Sequence, residues 1–163
     1  MTGRALLVVL VAAGCAGSHA RPLVRFGDDS DIATLGRLWR GETQGCSPGT
    51  AGQPHQTCTA AGWESVTLDE GPAGRQLHAT TTDPNRCELT RFTSGASKAI
   101  DNMEGQIVST STVLPDDRLF PQACLTVSVY YDRRECDLFL SPRRPPNKSS
   151  TNPGDKAGCP STE

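Results

Sequence analysis

What this chain of 163 residues lacks is most of what marks an enzyme. It has no GxSxG elbow, no phosphate-cradling glycine loop, no HExxH and no paired CxxC. His55 has no second histidine or acid at metal-ligand spacing, and His78 has no local nucleophile or orienting partner. The carboxylate pairs Asp116-Asp117 and Glu135 with Asp137 are only neighbours in sequence, whereas a glycosidase opposes its two carboxylates across a cleft. The chain therefore reads as a non-enzyme that uses no cofactor and no metal. Long apolar runs are missing too. After the N-terminus nothing approaches the roughly eighteen residues that span a bilayer, so no membrane span is expected. Strong charge is the third absence, since Lys and Arg number 16 and Asp and Glu 18, for a net −2. The charge is uneven all the same: residues 21–140 hold sixteen acids against eleven bases, giving −5, while residues 141–163 carry +2. An acidic body without a basic patch argues against nucleic acid and suits a basic protein ligand.

What is present begins with an export signal. Arg4 is followed by the apolar run Ala5 to Ala13 and then by Gly14-Cys15-Ala16-Gly17-Ser18-His19-Ala20, so residues 1–20 read as a signal peptide cleaved after Ala20, and the protein as secreted. The rival reading is a bacterial lipoprotein acylated on Cys15, although Ala12 stands where a lipobox usually carries leucine. Removing the signal leaves six cysteines, Cys46, Cys58, Cys87, Cys124, Cys136 and Cys159, an even number that predicts three disulfides in an exported chain. Their pairing is open, with one limit. If Asp132-Arg133-Arg134 turns the chain back along Cys124 to Tyr131, Cys136 faces the turn and Cys124 lies at the far end. Each then bonds elsewhere, because a disulfide needs its α-carbons within about 7 Å. Asn147-Lys148-Ser149 is an N-glycosylation sequon; Asn152 precedes a proline and Asn102 lacks the hydroxyl residue.

The length suits one domain, residues 21–140, followed by a flexible Pro/Ser-rich tail, residues 141–163, that is too poor in apolar residues to fold alone. The domain reads as all-β, mainly an antiparallel β-sandwich with one or two short helices. Gln106 to Val113 and Cys124 to Tyr131 are its clearest strands. In the second, Leu125, Val127, Val129 and Tyr131 alternate with Thr126, Ser128 and Tyr130, the pattern of a half-buried strand. Trp63 to Asp69 and Arg75 to Thr82 flank the turn Glu70-Gly71-Pro72-Ala73-Gly74 as a hairpin, and Cys87 to Thr93 reads as a further strand. Ile32, Leu35, Leu38 and Trp39 are spaced for a short helix capped by Asp29, Ser30 or Asp31, although Gly36 interrupts it and a strand packing Trp39 is the alternative. Ser97 would cap a second short helix, Lys98 to Glu104, stopped by Gly105. Gly41 to Cys58 reads as an exposed loop tied down by its two cysteines.

Taken in order, the segments from Cys58 to Cys136 resemble the secreted poxvirus immune-evasion domain, a β-sandwich family that includes viral CC-chemokine inhibitors. The features that carry this are a cysteine leading into the hairpin GWESVTLDEGPAGRQLHA, the Cys87-Glu88-Leu89 strand, a short polar helix ending in Gly105, the GQIVSTST strand, and CLTVSVYYDRREC closed by a cysteine. They cover about half of the chain, which lacks the long acidic loop of the CC-chemokine inhibitors. The resemblance implies a secreted immunomodulatory protein that sequesters a host chemokine or cytokine and blocks its receptor engagement. On that reading the ligand-binding residues are Tyr130 on the outward strand face with Asp116, Asp117, Asp132 and Glu135 in the flanking loops. The competing readings are a disulfide-stabilised protease inhibitor presenting the Cys46 to Cys58 loop, or the Cys15-anchored lipoprotein.

Overall fold

The computed structural model describes residues 30–49, 55–94, 99–104 and 108–160. The expected signal peptide, its cleavage site and Cys15 lie outside the described residues, as does Ser97. Helix α1, Ser30–Trp39, precedes strands β1 (Cys46–Ser47), β2 (His55–Cys58), β3 (Ser65–Gly71) and β4 (Gly74–Thr81). Two 3-10 turns follow, Pro84–Cys87 and Leu89–Arg91, then β5 (Ala99–Glu104), β6 (Val108–Val113), β7 (Ala123–Tyr130), β8 (Glu135–Pro142) and a short helix α2, Pro153–Ala157. The expected antiparallel all-β fold with three disulfides is what forms; of the two short helices expected from sequence α1 is present, and the second helix found is α2. All eight strands are joined in one hydrogen-bonded sheet, in the order β1-β2-β3-β4-β8-β7-β6-β5. It is two four-stranded meanders: the chain runs from β1 to β4, jumps to the far edge, and returns so that β8 seals against β4.

The register is set by burial. Leu68, Leu77, Leu140, Leu125 and Val113 stand opposite one another across five strands, and beside them run Val66, Ala79, Leu138 and Val127. All nine are buried, and a one-residue slip of any strand would turn its apolar set out to water. The layer over this inner face comes from α1, which contributes Ile32, Leu35, Leu38 and Trp39, and from Phe92 and Phe120, whose ring centroids lie 6.2 Å apart. Truncating a fully buried member such as Leu138 to alanine would cost about 2–5 kcal/mol. Gly36 belongs in the helix because of packing: a Cβ there would stand 3.0 Å from the Leu119 carbonyl oxygen. The helix thus lies against the Leu119 to Pro121 backbone, where Trp39 Nε1 donates to the Pro121 carbonyl at 3.0 Å.

Three expected elements come out differently. Cys87 to Thr93 forms no strand: Cys87 ends the 3-10 turn Pro84–Cys87, which Pro84 and the Asp83 side chain, accepting from the Asn85 N–H, start, and Leu89–Arg91 forms the second turn. Lys98 to Glu104 is strand β5 from Ala99 onward: pairing with β6 overrides a helix signal only two turns long. The Gly41 to Cys58 loop contributes β1 and β2, held at the sheet edge by a disulfide between its own two cysteines. The resemblance drew on two of these segments, since neither the Cys87 strand nor the helix ending at Gly105 forms.

The disulfides join Cys46 to Cys58, Cys87 to Cys136 and Cys124 to Cys159. Cys124 and Cys136 do bond elsewhere, as the β7–β8 hairpin requires: its register sets Cys124 opposite Ser141 and Cys136 opposite Val129. The segment expected as a flexible tail is tied back by the Cys124–Cys159 bridge and carries α2. Asn152 caps that helix, accepting from the Gly154 N–H at 2.9 Å, and Gly158 ends it at φ 79°. Any side chain at Gly158 would strike the Arg144 carbonyl oxygen, 2.1 Å from the Cβ position. Among the described residues no helix is long and apolar enough to cross a membrane.

Candidate functional site

Because side chains alternate along a strand, the register that builds the core also fixes a second, polar face. Across β3, β4, β8 and β7 it carries Thr67, His78, Phe139 and Thr126 in one row, and Ser65, Thr80, Asp137 and Ser128 in the next. Hydroxyl pairs stitch it to β6: Thr110 with Ser128 and Thr112 with Thr126, each at 3.1 Å. At one end of β7 and β8 this face is closed. Cys124, Ser141 and Thr112 are buried there, and the C-terminal segment is bonded to Cys124. At the other end, towards the β7–β8 turn, its residues are half-exposed.

That open end gathers the chemistry. Tyr130 stands opposite Glu135, and Asp137, one step along β8, stands between Ser128 on β7 and Thr80 on β4. His78 lies diagonally across from Asp137, its Nε2 3.9 Å from Oδ2. The other carboxylate oxygen, Asp137 Oδ1, is buried and has no hydrogen-bond partner among the described residues. Burial and then the Asp137 charge push the Tyr130 phenol above its ordinary value of 10.0. Over the Tyr130 ring, 4.3 Å from its centroid, sits the Arg133 guanidinium, whose Nε is 3.5 Å from Glu135 Oε2. Arg133 is 54% exposed and comes from the turn, which closes at Arg134 with φ 52°.

The five residues singled out from sequence fall into two groups at opposite ends of the hairpin, about 23 Å of strand apart. Tyr130 and Glu135 belong to the open end, with Asp132 exposed in the turn beside them. Asp116 and Asp117 lie in the β6–β7 loop. Asp116 is a loop anchor: it is 5% exposed, its N–H donates to the Phe92 carbonyl at 2.8 Å, and the Arg118 guanidinium grips its carboxylate with Nη2 at 2.6 Å from Oδ2. That grip, outweighing burial, holds the carboxyl below the ordinary 3.8. Asp117 is exposed and pairs with Arg143 Nη2 at 3.1 Å. The residue not picked out from sequence is Asp137. Its signal was the alternation Glu135, Asp137, Phe139, which puts all three on one face once the hairpin register is carried through.

A depression of about 340 Å³, away from this face, is lined by Gly62, Trp63, Glu64, Thr81, Asp83 and Arg86. Its charged groups are committed internally. Glu64 accepts from the Thr82 N–H at 2.7 Å, and Arg86 bridges Asp31 at 2.9 Å and Asp83 at 3.4 Å. Among the described residues no group of three or more His, Cys, Asp or Glu is placed to hold a metal ion. Compared with protein-family models, curated proteins and solved structures, the chain finds no match.

Proposed function

We propose that this protein is a secreted binding protein that holds a basic polypeptide, a host chemokine or cytokine, against the open end of its polar sheet face and so blocks the ligand's receptor-binding surface. One observation carries the reading: a rigid sheet brings Tyr130, Glu135 and Asp137 to one half-exposed patch of a body with a surplus of acids. The acidic surplus speeds encounter with a basic ligand through long-range attraction, and an aromatic at the contact centre supplies affinity. Sheet positions lose little freedom on binding, which favours a preorganised contact. Export through residues 1–20 belongs to this reading, as does a glycan on Asn147. That residue is exposed in a turn where its Oδ1 accepts from Ser149 Oγ at 2.7 Å. The viral, receptor-blocking role rests on the family likeness alone.

Binding of labelled chemokines and cytokines to the purified protein tests this. A ligand should bind at physiological salt, weaken as salt rises, and lose tenfold or more when Tyr130 becomes alanine. If no basic cytokine binds, the reading is lost. The protease-inhibitor alternative draws on the Cys46–Cys58 bond, which closes the Gly/Pro-rich segment into a covalent ring whose α-carbons are 4.0 Å apart at its neck. A clamped loop of that kind can occupy an active site without unfolding. Inhibition of a protease that then shields the loop would favour it. An acylated Cys15 in the mass of the mature protein would favour the lipoprotein reading instead.

A further inference from the structure

We propose that the Cys46–Cys58 disulfide is a site of thiol–disulfide exchange at the sheet edge, opened by a dithiol while the other two disulfides stay closed. The inference goes beyond the cytokine-binding reading and does not rest on it. Its first ground is access. Cys87 keeps 3% of its exposure, Cys124 and Cys159 1% each and Cys136 none, whereas Cys46 is half-buried. Exchange needs a thiolate to reach the attacked sulfur from the side opposite the sulfur that leaves. Cys58 lies inward of Cys46 on β2, at 7% exposure, and no strand lies beyond β1 in the sheet. Approach to Cys46 Sγ from the outer side of β1 therefore passes no neighbouring strand. Cys136 has strands on both sides, β4 and β7, and Cys124 is covered by the C-terminal segment.

The second ground is what the bond holds. Cys46 stands opposite Cys58 and Ser47 opposite Thr57, and these two pairs make up the whole β1–β2 ladder. The Thr59 N–H donates to the Gly45 carbonyl at 3.3 Å, which makes the cysteines a non-hydrogen-bonded pair, the kind whose side chains lie closest. Ser47 Oγ adds a bond to the Thr57 carbonyl at 3.2 Å. That is little to keep β1 in place once the disulfide opens. β2, by contrast, pairs with β3 at four positions, and Cys58 belongs to the core, where a thiol packs as a small apolar group. The bond also closes a separation of only 12 residues, against 49 and 35 for the others, so opening it frees the unfolded chain least. Reduction thus releases β1 and leaves the other seven strands paired.

In the exchange, one thiolate of the dithiol attacks Cys46 Sγ, the bond to Cys58 breaks, and Cys58 leaves as a thiolate that takes up a proton. The second thiol of the reagent then attacks the mixed disulfide and releases Cys46. Two electrons and two protons pass to the protein, and the dithiol ends as a disulfide. To test this, graded dithiothreitol is added to the full-length protein, and the thiols that form are trapped with N-ethylmaleimide and assigned by peptide mass. Cys46 and Cys58 should be labelled at least about tenfold faster than the other four, with the circular dichroism of the sheet kept and the Thr59 amide losing its protection from hydrogen exchange. Reduced glutathione, which has a single thiol, reads the direction of attack: the trapped intermediate should carry glutathione on Cys46 and maleimide on Cys58. Several results would overturn the proposal: labelling of Cys87, Cys124, Cys136 or Cys159 as fast or faster, resistance of all six to reduction, loss of the sheet spectrum when only Cys46 and Cys58 are labelled, or glutathione on Cys58.

Discussion

Asp31, in the first turn of α1, accepts hydrogen bonds on both carboxylate oxygens from Arg91 Nη2, each at 3.0 Å, and sits at 5% exposure. Arg86 reaches the same carboxylate at 2.9 Å. One acid thus ties the helix to the two 3-10 turns that carry the chain from β4 towards the far edge of the sheet. Burial alone would raise its pKa; the hydrogen bonds from Arg91, the Ile32 N–H and Arg86 bring it net below the ordinary 3.8. Asp31→Asn should cost about 2 kcal/mol, the modest figure reflecting that Arg86 and Arg91 keep 33% and 20% of their exposure. Denaturant melts of the two proteins measure it. An unchanged midpoint would show that the helix is held by its apolar face alone.

Acid should unfold the protein through the same group. Asp31 and Asp116 are both depressed in the folded state, so the stability they lend is complete above 3.8 and is lost as pH falls through that value towards the folded pKa values. Unfolding free energy measured against pH should therefore drop below about pH 4, with a shallower drop in the Asp31→Asn, Asp116→Asn double variant.

The phenol at the open end gives an optical check on the site. Tyr130 is pushed above 10.0 by burial and the Asp137 charge, so subtracting the absorbance titration of Tyr130→Phe from that of the parent should leave a component ionising above 10. Asp137→Asn should lower that component, since one of its causes is gone. No change in the asparagine variant would mean that burial accounts for the whole shift.

The disulfides should divide the molecule by function. Cys87–Cys136 closes a separation of 49 residues and links the crossing segment to β8 in the middle of the sheet, so replacing both by alanine should cost about 4 kcal/mol. Replacing Cys124 and Cys159 removes the bond that holds the C-terminal segment to β7. Limited proteolysis should then cut within residues 143–160 while the truncated sheet keeps its spectrum. Cutting elsewhere first would show that the segment braces the sheet and does not merely cover it.

Gly158 offers a local test of the same attachment. At φ 79°, with the Arg144 carbonyl 2.1 Å from the Cβ position, alanine meets both backbone strain and a clash. The substitution should loosen the segment enough to raise cleavage between Pro145 and Cys159 without altering the thermal transition of the sheet by more than a few degrees.

Alternation in β7 and in the β3–β4 hairpin and the six-cysteine count were sufficient for an antiparallel, three-disulfide sheet. Alternation is a local regularity that burial enforces residue by residue. The spacing of Ile32, Leu35, Leu38 and Trp39 left helix and strand both open, and packing against the Leu119 to Pro121 backbone decided for the helix. The β7–β8 hairpin even excluded a Cys124–Cys136 bond, since chain geometry places those residues at opposite ends. Only the tertiary structure decided the rest. Cys87 to Thr93 has strand-like residues, yet Pro84 and the Asp31–Arg91 bond hold it in tight turns. Ala99 to Glu104 is too short to choose helix or strand alone and takes the strand that β6 offers. Asp116 and Asp117 looked equivalent to Asp132 and Glu135 because charge in a loop carries no local sign of what it faces. Packing made Asp116 an internal anchor, whereas the pairing of β4, β8 and β7 set Asp137 between His78 and Tyr130, residues 52 positions apart in sequence whose neighbourhood depends on β8 sealing the two meanders together.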